Sequence, residues 1–165
     1  RFKNRSKVYY EKIIQHNSIT FKWENDFDTF YPILMENKKR HNAKPTHSLN
    51  ELKKIDKILP GRLEILLMYT NKQAIGGSLI INVNNETGII FYNMVDYDYL
   101  KLQPAVLQTM EAIRHAAKNN LHYLDFGVSQ DPIAENPLTP SRSLIKFKEE
   151  TGAFTIIRKA YKKTF

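Results

Sequence analysis

One carboxylate stands where sheets commonly bind ligands. Asp125 closes a short apolar run that begins at Tyr123, and Gly127 follows two residues later. Open α/β sheets bind ligands beyond the carboxyl ends of their strands, and a carboxylate there can accept a proton or orient a reacting group. The same side chain can instead cap the N–H groups of Gly127 and Val128 and hold the following loop. Both roles for Asp125 stay open at this point.

A second group of polar side chains surrounds the end of another strand-like run near residue 95. Asp96 and Asp98 can act as a general base, or they can form an Asp-rich turn, which is the more common role of such pairs. Tyr92, Tyr97 and Tyr99 each carry a phenol that can donate a proton, although most tyrosines pack with a satisfied hydroxyl. The chain has nine tyrosines, so none of the three is singled out.

Thiol and metal chemistry have little support in the sequence. The chain has no cysteine, which excludes disulfides, a cysteine nucleophile and cysteine-ligated zinc. The five histidines show no metal-ligand spacing; they are His16, His41, His47, His115 and His122. We therefore expect no metal site.

The charge of the chain is concentrated at its two ends. The 165 residues include 25 Lys or Arg and 17 Asp or Glu, for a net charge of +8. Residues 1–54 hold 12 basic and 6 acidic side chains, and residues 141–165 hold 7 basic and 2 acidic ones. Residues 55–140 between them hold 6 basic and 9 acidic side chains. Such clusters attract phosphate-bearing partners, or they are solvated helix faces. Arg40, Lys44 and Arg142 are candidate phosphate contacts.

The apolar periodicity predicts eleven elements in the order α-β-α-α-β-β-β-α-β-α-β. The predicted helices cover residues 2–15, 25–42, 48–59, 104–121 and 141–151, and the predicted strands cover 19–23, 63–69, 74–83, 88–95, 123–126 and 154–161. Ser48 and Glu51 fit a capping box, Pro104 suits the first turn of a helix, and Asn71-Lys72 suits a tight hairpin turn. Residues 128–140 are predicted to be a loop.

This order predicts an α/β (α+β) fold with a mixed, largely antiparallel central sheet flanked by helices. Three successive strands form a meander, and the helix from Pro104 leads to a fifth strand that lies parallel to the fourth. The adjacent Gly76-Gly77 inside a strand indicates a bulge or a close backbone approach. The length suits a single domain. No apolar run approaches the roughly 20 residues that a membrane span needs.

The order of elements resembles the GNAT acyltransferase fold over nearly the whole chain. Local motifs narrow the resemblance; they are Arg1-Phe2-Lys3-Asn4-Arg5, Lys38-Lys39-Arg40-His41, Asp125-Phe126-Gly127, Leu144-Ile145-Lys146-Phe147-Lys148 and Thr151-Gly152-Ala153. In order and spacing they are similar to motifs of the Fem-type family, the bacterial peptidoglycan bridge-forming aminoacyltransferases FemA, FemB and FemX. The resemblance implies a cytoplasmic transferase that moves an acyl or aminoacyl group to an amine.

The resemblance also implies which residues carry the chemistry. The Fem family has a Phe-Lys pair in its last helix, and by position this pair is Phe147-Lys148. A cation near the tetrahedral intermediate stabilises the developing oxyanion. With Asp125, these residues form the predicted catalytic set. The alternative for Lys148 is a solvated helix residue with favourable placement near the C-terminal end of the helix dipole.

The stretch before the central helix departs from the pattern of ordinary acetyltransferases. In a typical GNAT enzyme a glycine-rich loop holds the coenzyme A pyrophosphate on bare N–H groups. Here residues 99–105 contain no glycine, and Pro104 removes one donor. Lys101 can add positive charge to the helix N-terminus, and Lys101, Gln103 and Arg142 are the predicted cofactor-binding residues. We expect no permanently bound cofactor, and a donor that is either aminoacyl-tRNA or acyl-CoA.

Three functions stay open: a Fem-like transferase in peptidoglycan synthesis, an acyl-CoA-dependent N-acetyltransferase, and a non-catalytic half that binds substrate or tRNA. The expected partners are an amine-bearing acceptor, which can contain phosphate, and tRNA. Residues 1–165 form one GNAT-like domain in this interpretation. Because the chain begins with Arg1 and Fem enzymes carry two GNAT-like halves, we expect it to be the C-terminal half of a longer protein, with another domain before it.

Overall fold

The computed structural model describes residues 4–16, 19–131, 133–136, 138–157 and 161–163. The elements are α1 (Asn4–Gln15), β1 (Thr20–Trp23), α2 (Phe27–Arg40), α3 (Leu49–Ile58), β2 (Leu63–Thr70), β3 (Gln73–Asn82), β4 (Thr87–Val95), a 3-10 helix (Tyr97–Leu102), α4 (Pro104–Lys118), β5 (Tyr123–Asp125) and α5 (Arg142–Glu150). The predicted order of helices and strands is confirmed from the first helix to α5.

The five strands form one sheet in the order β1-β2-β3-β4-β5. Neighbouring strands are antiparallel from β1 to β4, and β5 is parallel to β4. Asn71 and Lys72 join β2 to β3 with φ angles of 47° and 68°, the left-handed pair that a two-residue hairpin requires. The mixed, largely antiparallel sheet predicted from the sequence is therefore confirmed.

Helices cover both faces of the sheet. On one face α2 and α3 pack over a cluster that consists of Phe27, Phe30, Leu34, Leu52, Leu63, Ile65, Leu67, Leu79 and Tyr92. On the other face α4 and α1 cover a smaller cluster that consists of Ile19, Met68, Ile75 and Leu107, with Tyr9, Tyr10 and Ile13 against it. Side chains alternate between the two faces of a strand, so β2 contributes Leu67 to the first cluster and Met68 to the second.

Local capping fixes where the helices begin. The Asp26 carboxylate accepts a hydrogen bond from the Thr29 N–H at 3.0 Å and caps α2. The capping box of α3 is present as predicted, because the Ser48 N–H donates to Glu51 Oε2 at 2.7 Å and the Glu51 N–H donates to Ser48 Oγ at 3.3 Å. Pro104 occupies the first turn of α4, where the absence of its N–H breaks no intrahelical bond.

Gly76 and Gly77 let helices approach the centre of the sheet from both sides. A Cβ on Gly76 would lie 2.7 Å from Gln108 Nε2 of α4, and a Cβ on Gly77 would lie 2.7 Å from Phe30 Cδ2 of α2. The predicted close backbone approach is confirmed. A register shift between Met68 and its neighbour in the sequence adds a bulge beside the glycines.

Two parts of the chain differ from the prediction. The strand predicted over 154–161 is wrong where the structure describes it: residues 154–157 are irregular, and Phe154 and Ile157 are 82% and 83% exposed. Strand propensity is realised only when a neighbouring edge and apolar packing are available. Residues 158–160, and residues 2 and 3 of the predicted first helix, lie outside the described residues. The 3-10 helix was not predicted from the sequence.

Candidate active site

The sheet opens between its two parallel strands. Residues 87–89 of β4 pair with residues 123–125 of β5, but β4 continues to Val95 while the chain leaves β5 as the irregular segment 126–129. The described pairing between β4 and β5 ends at Ile89 and Asp125, and we call the unpaired region beyond it the opening. The chain enters α4 at Pro104 soon after this end. The opening lies toward the end of β4 from which the chain continues, through the 3-10 helix, to the N-terminus of α4.

A bulge changes the course of β4 within the opening. Tyr92 pairs with Leu79 and Ile90 pairs with Ile80, so Phe91 is an extra residue on β4. Its side chain is 37% exposed. Bulges redirect the backbone and occur frequently beside active sites. The bulge gives this part of β4 a backbone that does not follow the regular ladder with β3.

Two of the predicted catalytic residues hold the loop on the other side of the opening. Asp125 Oδ1 accepts a hydrogen bond from the Gly127 N–H at 2.7 Å. Lys148 Nζ, which reaches across from α5, donates to Gly127 O at 3.0 Å, Val128 O at 2.8 Å and Ser129 Oγ at 2.9 Å. Asp125 and Lys148 therefore meet at one loop, and both fix its backbone. Their catalytic roles stay predictions.

A cavity of about 850 Å³ lies between α1, the N-terminus of α4 and α5. Phe147 and Gln103, both predicted site residues, line it together with Arg5, Lys12, Tyr9 and Glu150. The other two predicted cofactor-binding residues, Lys101 on the 3-10 helix and Arg142 in the first turn of α5, are not among its lining residues in the described part of the chain.

Gln103 has an unusual backbone at the start of α4. Its φ of 49° lies in the left-handed region, which glycine adopts most readily. A glycine-free sequence thus makes a turn into the helix that other sequences would make with glycine. The unpaired N–H groups and dipole of the helix N-terminus favour anions.

Helix α1 lines the cavity, a role that was not predicted from the sequence. Tyr9 donates a hydrogen bond to Leu102 O at 3.0 Å, and Ser6 Oγ donates to Glu150 O at 3.3 Å, so α1 bridges the approach to α4 and the end of α5. Arg5 and Lys12 are seven residues apart, which brings both to one face of a helix. This spacing was the sequence signal that could have indicated their shared role. In the structure both cations line the cavity.

A buried carboxylate fastens α1 to α4. Glu111 is 2% exposed and accepts hydrogen bonds from the Tyr10 hydroxyl, from Trp23 Nε1 at 3.1 Å and from Arg114 at 2.9 Å. Burial alone would raise the pKa of Glu111, but the bonds from Arg114, Tyr10 and Trp23 together hold this pKa below its ordinary value. Burial of the Tyr10 side chain and its hydrogen bond to Glu111 raise the pKa of Tyr10 above its ordinary value.

Asp96 and the three candidate tyrosines have hydrogen-bond partners within the fold. Asp96 Oδ1 accepts from the Asp98 N–H at 3.0 Å and caps the 3-10 helix, which is the turn role. Tyr92 OH accepts from the Thr46 N–H, Tyr97 OH contacts His41 Nε2, and Tyr99 OH donates to Gln73. Among the described residues no group of three His, Cys, Asp or Glu could hold a metal ion.

Comparison with known families identifies the fold. A family model for an acetyltransferase (GNAT) domain matches residues 4–134. The chain belongs to the GNAT acetyltransferase family. GNAT enzymes are transferases that use acetyl-CoA as a co-substrate. None of the curated proteins compared with the chain matches it.

Solved structures agree with the GNAT fold. A possible acetyltransferase from Clostridium difficile 630 has a TM-score of 0.63 at 13% identity, with 89% of this chain and 97% of that chain covered. An aminoglycoside acetyltransferase from an uncultured soil metagenomic sample, in complex with sisomicin, has a TM-score of 0.62 at 10% identity, with 90% of this chain and 99% of that chain covered. A ribosomal-protein-alanine N-acetyltransferase from Brucella melitensis biovar Abortus 2308 has a TM-score of 0.61 at 14% identity, with 90% of this chain and 99% of that chain covered. In the part of the GNAT domain that the structure describes, no helix has both the length and the apolar character of a membrane span.

Proposed function

We propose that this GNAT domain is an N-acyltransferase that moves the acyl group of an acyl-CoA to an acceptor amine. One observation carries the proposal: α5 borders both the cavity and the opening, because Phe147 lines the cavity of about 850 Å³ and Lys148 bonds to residues 127–129 at the opening. A donor with a phosphate-bearing end and a thioester end needs such a pair of adjoining sites.

The cavity supplies groups for the phosphate-bearing end of the donor. Arg5 and Lys12 line it, and the N-terminus of α4 adds partial positive charge. Glu150 is the acidic residue of the lining. Anions bind well at helix N-termini with nearby cations. In this proposal Arg5 and Lys12 replace part of the attraction that a glycine-rich loop gives in typical GNAT enzymes.

The opening orients the thioester for attack. In the reaction the acceptor nitrogen forms a bond to the acyl carbon, the carbon–sulfur bond breaks, coenzyme A leaves as a thiol, and the nitrogen loses a proton. Backbone groups at the Phe91 bulge border the opening on one side and the 127–129 loop, held by Lys148 and Asp125, borders it on the other. Fixed donors beside the carbonyl stabilise the oxyanion as it develops.

Calorimetry with coenzyme A and acetyl-CoA tests the proposal. We expect binding that weakens about tenfold when Arg5→Ala and Lys12→Ala are combined, because two exposed charge contacts contribute up to about 1 kcal/mol each. Lys7→Ala is the matched control, since Lys7 lies on α1 and pairs with Glu11 instead of lining the cavity. Absence of heat with both ligands and no acyl transfer to any amine would reject the proposal.

A Fem-like aminoacyl transfer is the second candidate. Phe147, one residue of the predicted Fem-type pair, lines the same cavity as Arg5 and Lys12, and in this candidate function the cavity binds the phosphate-rich end of an aminoacyl-tRNA. Tight tRNA binding that falls steeply with salt, with aminoacyl transfer and without binding of coenzyme A, would favour this candidate. Binding of tRNA without turnover would instead indicate a non-catalytic half. With either donor we propose a cytoplasmic location for the enzyme.

A further inference from the structure

Residues 38–47, which span the end of α2 and the segment toward α3, form a basic strip. These ten residues include four Lys or Arg and two His and no acidic residue. The exposed members of the strip with basic side chains are Lys39, Arg40, His41 and Lys44. Cations are favourable in the last turn of a helix, but Lys44 and His47 lie beyond the end of α2. The helix dipole therefore explains only part of the basic strip.

The basic strip follows the part of β4 that borders the opening. Just before the strip begins, the Asn37 side chain bonds to both backbone groups of Val95: the Val95 N–H donates to Asn37 Oδ1 at 3.3 Å, and Asn37 Nδ2 donates to Val95 O. Near the end of the strip, the Thr46 N–H donates to the Tyr92 hydroxyl at 3.1 Å. The strip therefore runs back along β4 from Val95 toward the bulge.

The strip and the donor cavity lie on opposite faces of the sheet. Tyr92 belongs to the cluster under α2 and α3, whereas Tyr9, which lines the cavity, packs against the cluster under α4 and α1. If the donor reaches the opening from the α4 face, the acceptor has the face of the basic strip for its approach. The charges of the strip therefore bear on the acceptor rather than on the donor.

Most charges of the strip are not neutralised by neighbours. Lys38, Lys39 and Lys44 form no salt bridge with the described residues, and Arg40 pairs with Glu36 at 3.2 Å. Aromatic rings orient two of the cations without cancelling their charge. Lys38 Nζ lies 5.4 Å from the ring centroid of Tyr92, and Arg40 Cζ lies 4.8 Å from that of Tyr97.

The end of the strip holds a polar atom without a partner. His47 Nδ1 is buried and has no hydrogen-bond partner among the described residues, whereas buried polar atoms are normally bonded. The His47 ring lies 5.8 Å from the Phe91 ring at the bulge. The basic strip therefore ends on an unsatisfied polar atom close to the Phe91 bulge.

We propose that the acceptor of this enzyme is an amine whose molecule also carries an anionic oxygen group, phosphate or carboxylate, and that the basic strip binds this group. The inference rests on the proposed N-acyltransferase function and specifies the acceptor class. Lys39 and Lys44 make the long-range attraction, and Lys38 lies over the Tyr92 ring of β4. A polycationic amine such as an aminoglycoside is repelled by the same charges.

A matched series of small amines tests the proposal in the domain saturated with coenzyme A. O-phosphoethanolamine, β-alanine and ethanolamine share one amine and differ in carrying phosphate, carboxylate or a neutral hydroxyl. Titration of the ¹⁵N-labelled domain gives each dissociation constant without requiring turnover. We expect at least one anionic amine to bind about fivefold or more tightly than ethanolamine and to shift backbone signals within residues 38–47.

Charge removal with a matched control completes the test. Lys39→Gln with Lys44→Gln is expected to remove the preference for the anionic amine, while Lys54→Gln with Lys57→Gln, exposed on α3, is expected to keep it. Equal binding of ethanolamine and both anionic amines, or a preference that survives in the Lys39/Lys44 variant, overturns the inference. The acyltransferase function fails separately, if coenzyme A does not bind and no amine is acylated. If only the phosphate-bearing amine or only the carboxylate-bearing amine is preferred, that result supports the inference and identifies the group that the strip binds.

Discussion

At the scale of single residues, Lys148 shows how a predicted catalytic side chain is engaged in structure. Its ammonium donates to three oxygens of residues 127–129, so the loop that borders the opening depends on it. The family resemblance suggested a cation at the reacting end of the substrate, and sequence spacing alone could not reveal which atoms the ammonium meets. The two roles make different predictions.

We expect Lys148→Met to lower the free energy of unfolding by about 2 kcal/mol, because hydrogen bonds to a charged donor are lost. Urea unfolding measures this change, and hydrogen exchange at residues 127–129 should become faster. Lys146→Met is the control, since Lys146 is exposed and, among the described residues, pairs with Glu150 alone at 4.0 Å. A variant with unchanged stability and exchange but no acyl transfer would instead assign Lys148 to the substrate.

Glu111 gives a pH-dependent prediction at the same scale. Hydrogen bonds hold its pKa below the ordinary value despite its burial. A depressed carboxyl pKa stabilises the folded state above the unfolded pKa of about 4.3, and this contribution is lost as the pH falls through the folded value. We expect Glu111→Gln to destabilise the protein by about 2 kcal/mol at pH 7, with a difference from the wild type that shrinks below about pH 4.

Urea unfolding at pH 7 and pH 3.5 measures both differences. Glu149→Gln, on the exposed side of α5, should change stability little at either pH. A loss in Glu111→Gln that is the same at both pH values would mean that the Tyr10, Trp23 and Arg114 bonds do not depend on the charge of the carboxylate.

At the scale of elements, the sequence predicted what local chemistry decides. The capping box of Ser48 and Glu51, Pro104 at the start of α4 and the Asn71-Lys72 turn all depend on neighbours within a few residues, and all are confirmed. The strand predicted at 154–161 failed for the opposite reason. Its apolar residues satisfy strand propensity, but pairing depends on an edge elsewhere in the fold.

The site was predictable to a similar extent. Asp125 and Lys148 both bond to Gly127, because the end of β5 and α5 lie where the periodicity predicted them, and their catalytic roles stay predictions. The contribution of α1 to the cavity was not foreseen, since it depends on Glu111 holding two helices together across about 100 residues of chain. Contacts of this kind have no signal in local periodicity.

Gly77 tests how closely α2 must approach the sheet. A Cβ there would lie 2.7 Å from Phe30 Cδ2 and 3.0 Å from Leu66 O, so either the helix or the strand has to move. We expect Gly77→Ala to lower the free energy of unfolding by about 1–3 kcal/mol through overpacking. Gly61→Ala is the control, because no heavy atom lies within 4 Å of its Cβ and only its φ of 73° opposes the change. Equal losses in thermal or urea unfolding would show that the close approach is not limiting.

At the scale of the whole molecule, basic side chains lie on two functional surfaces of a chain whose net charge is +8. The cations of α1 lie at the donor cavity on one face, and the basic strip lies on the other face along β4. Both surfaces come from the basic first third of the sequence, residues 1–54. An excess of positive charge therefore has two distinct uses in this proposal, and the two can be separated by experiment.

Salt dependence separates contact from long-range attraction in donor binding. Two double variants lower the net charge equally, from +8 to +6: Arg5→Ala with Lys12→Ala, and Lys7→Ala with Lys57→Ala. Arg5 and Lys12 line the cavity, whereas Lys7 and Lys57 do not. We expect coenzyme A affinity to fall with rising salt in the wild type and in the Lys7/Lys57 variant, because salt screens exposed charges over about 10 Å at 0.1 M. In the Arg5/Lys12 variant the affinity should start about tenfold lower and change less with salt. Equal affinities in the two variants across the salt series would mean that coenzyme A responds to the overall charge of the protein, and the cavity would then lose its assignment as the donor site.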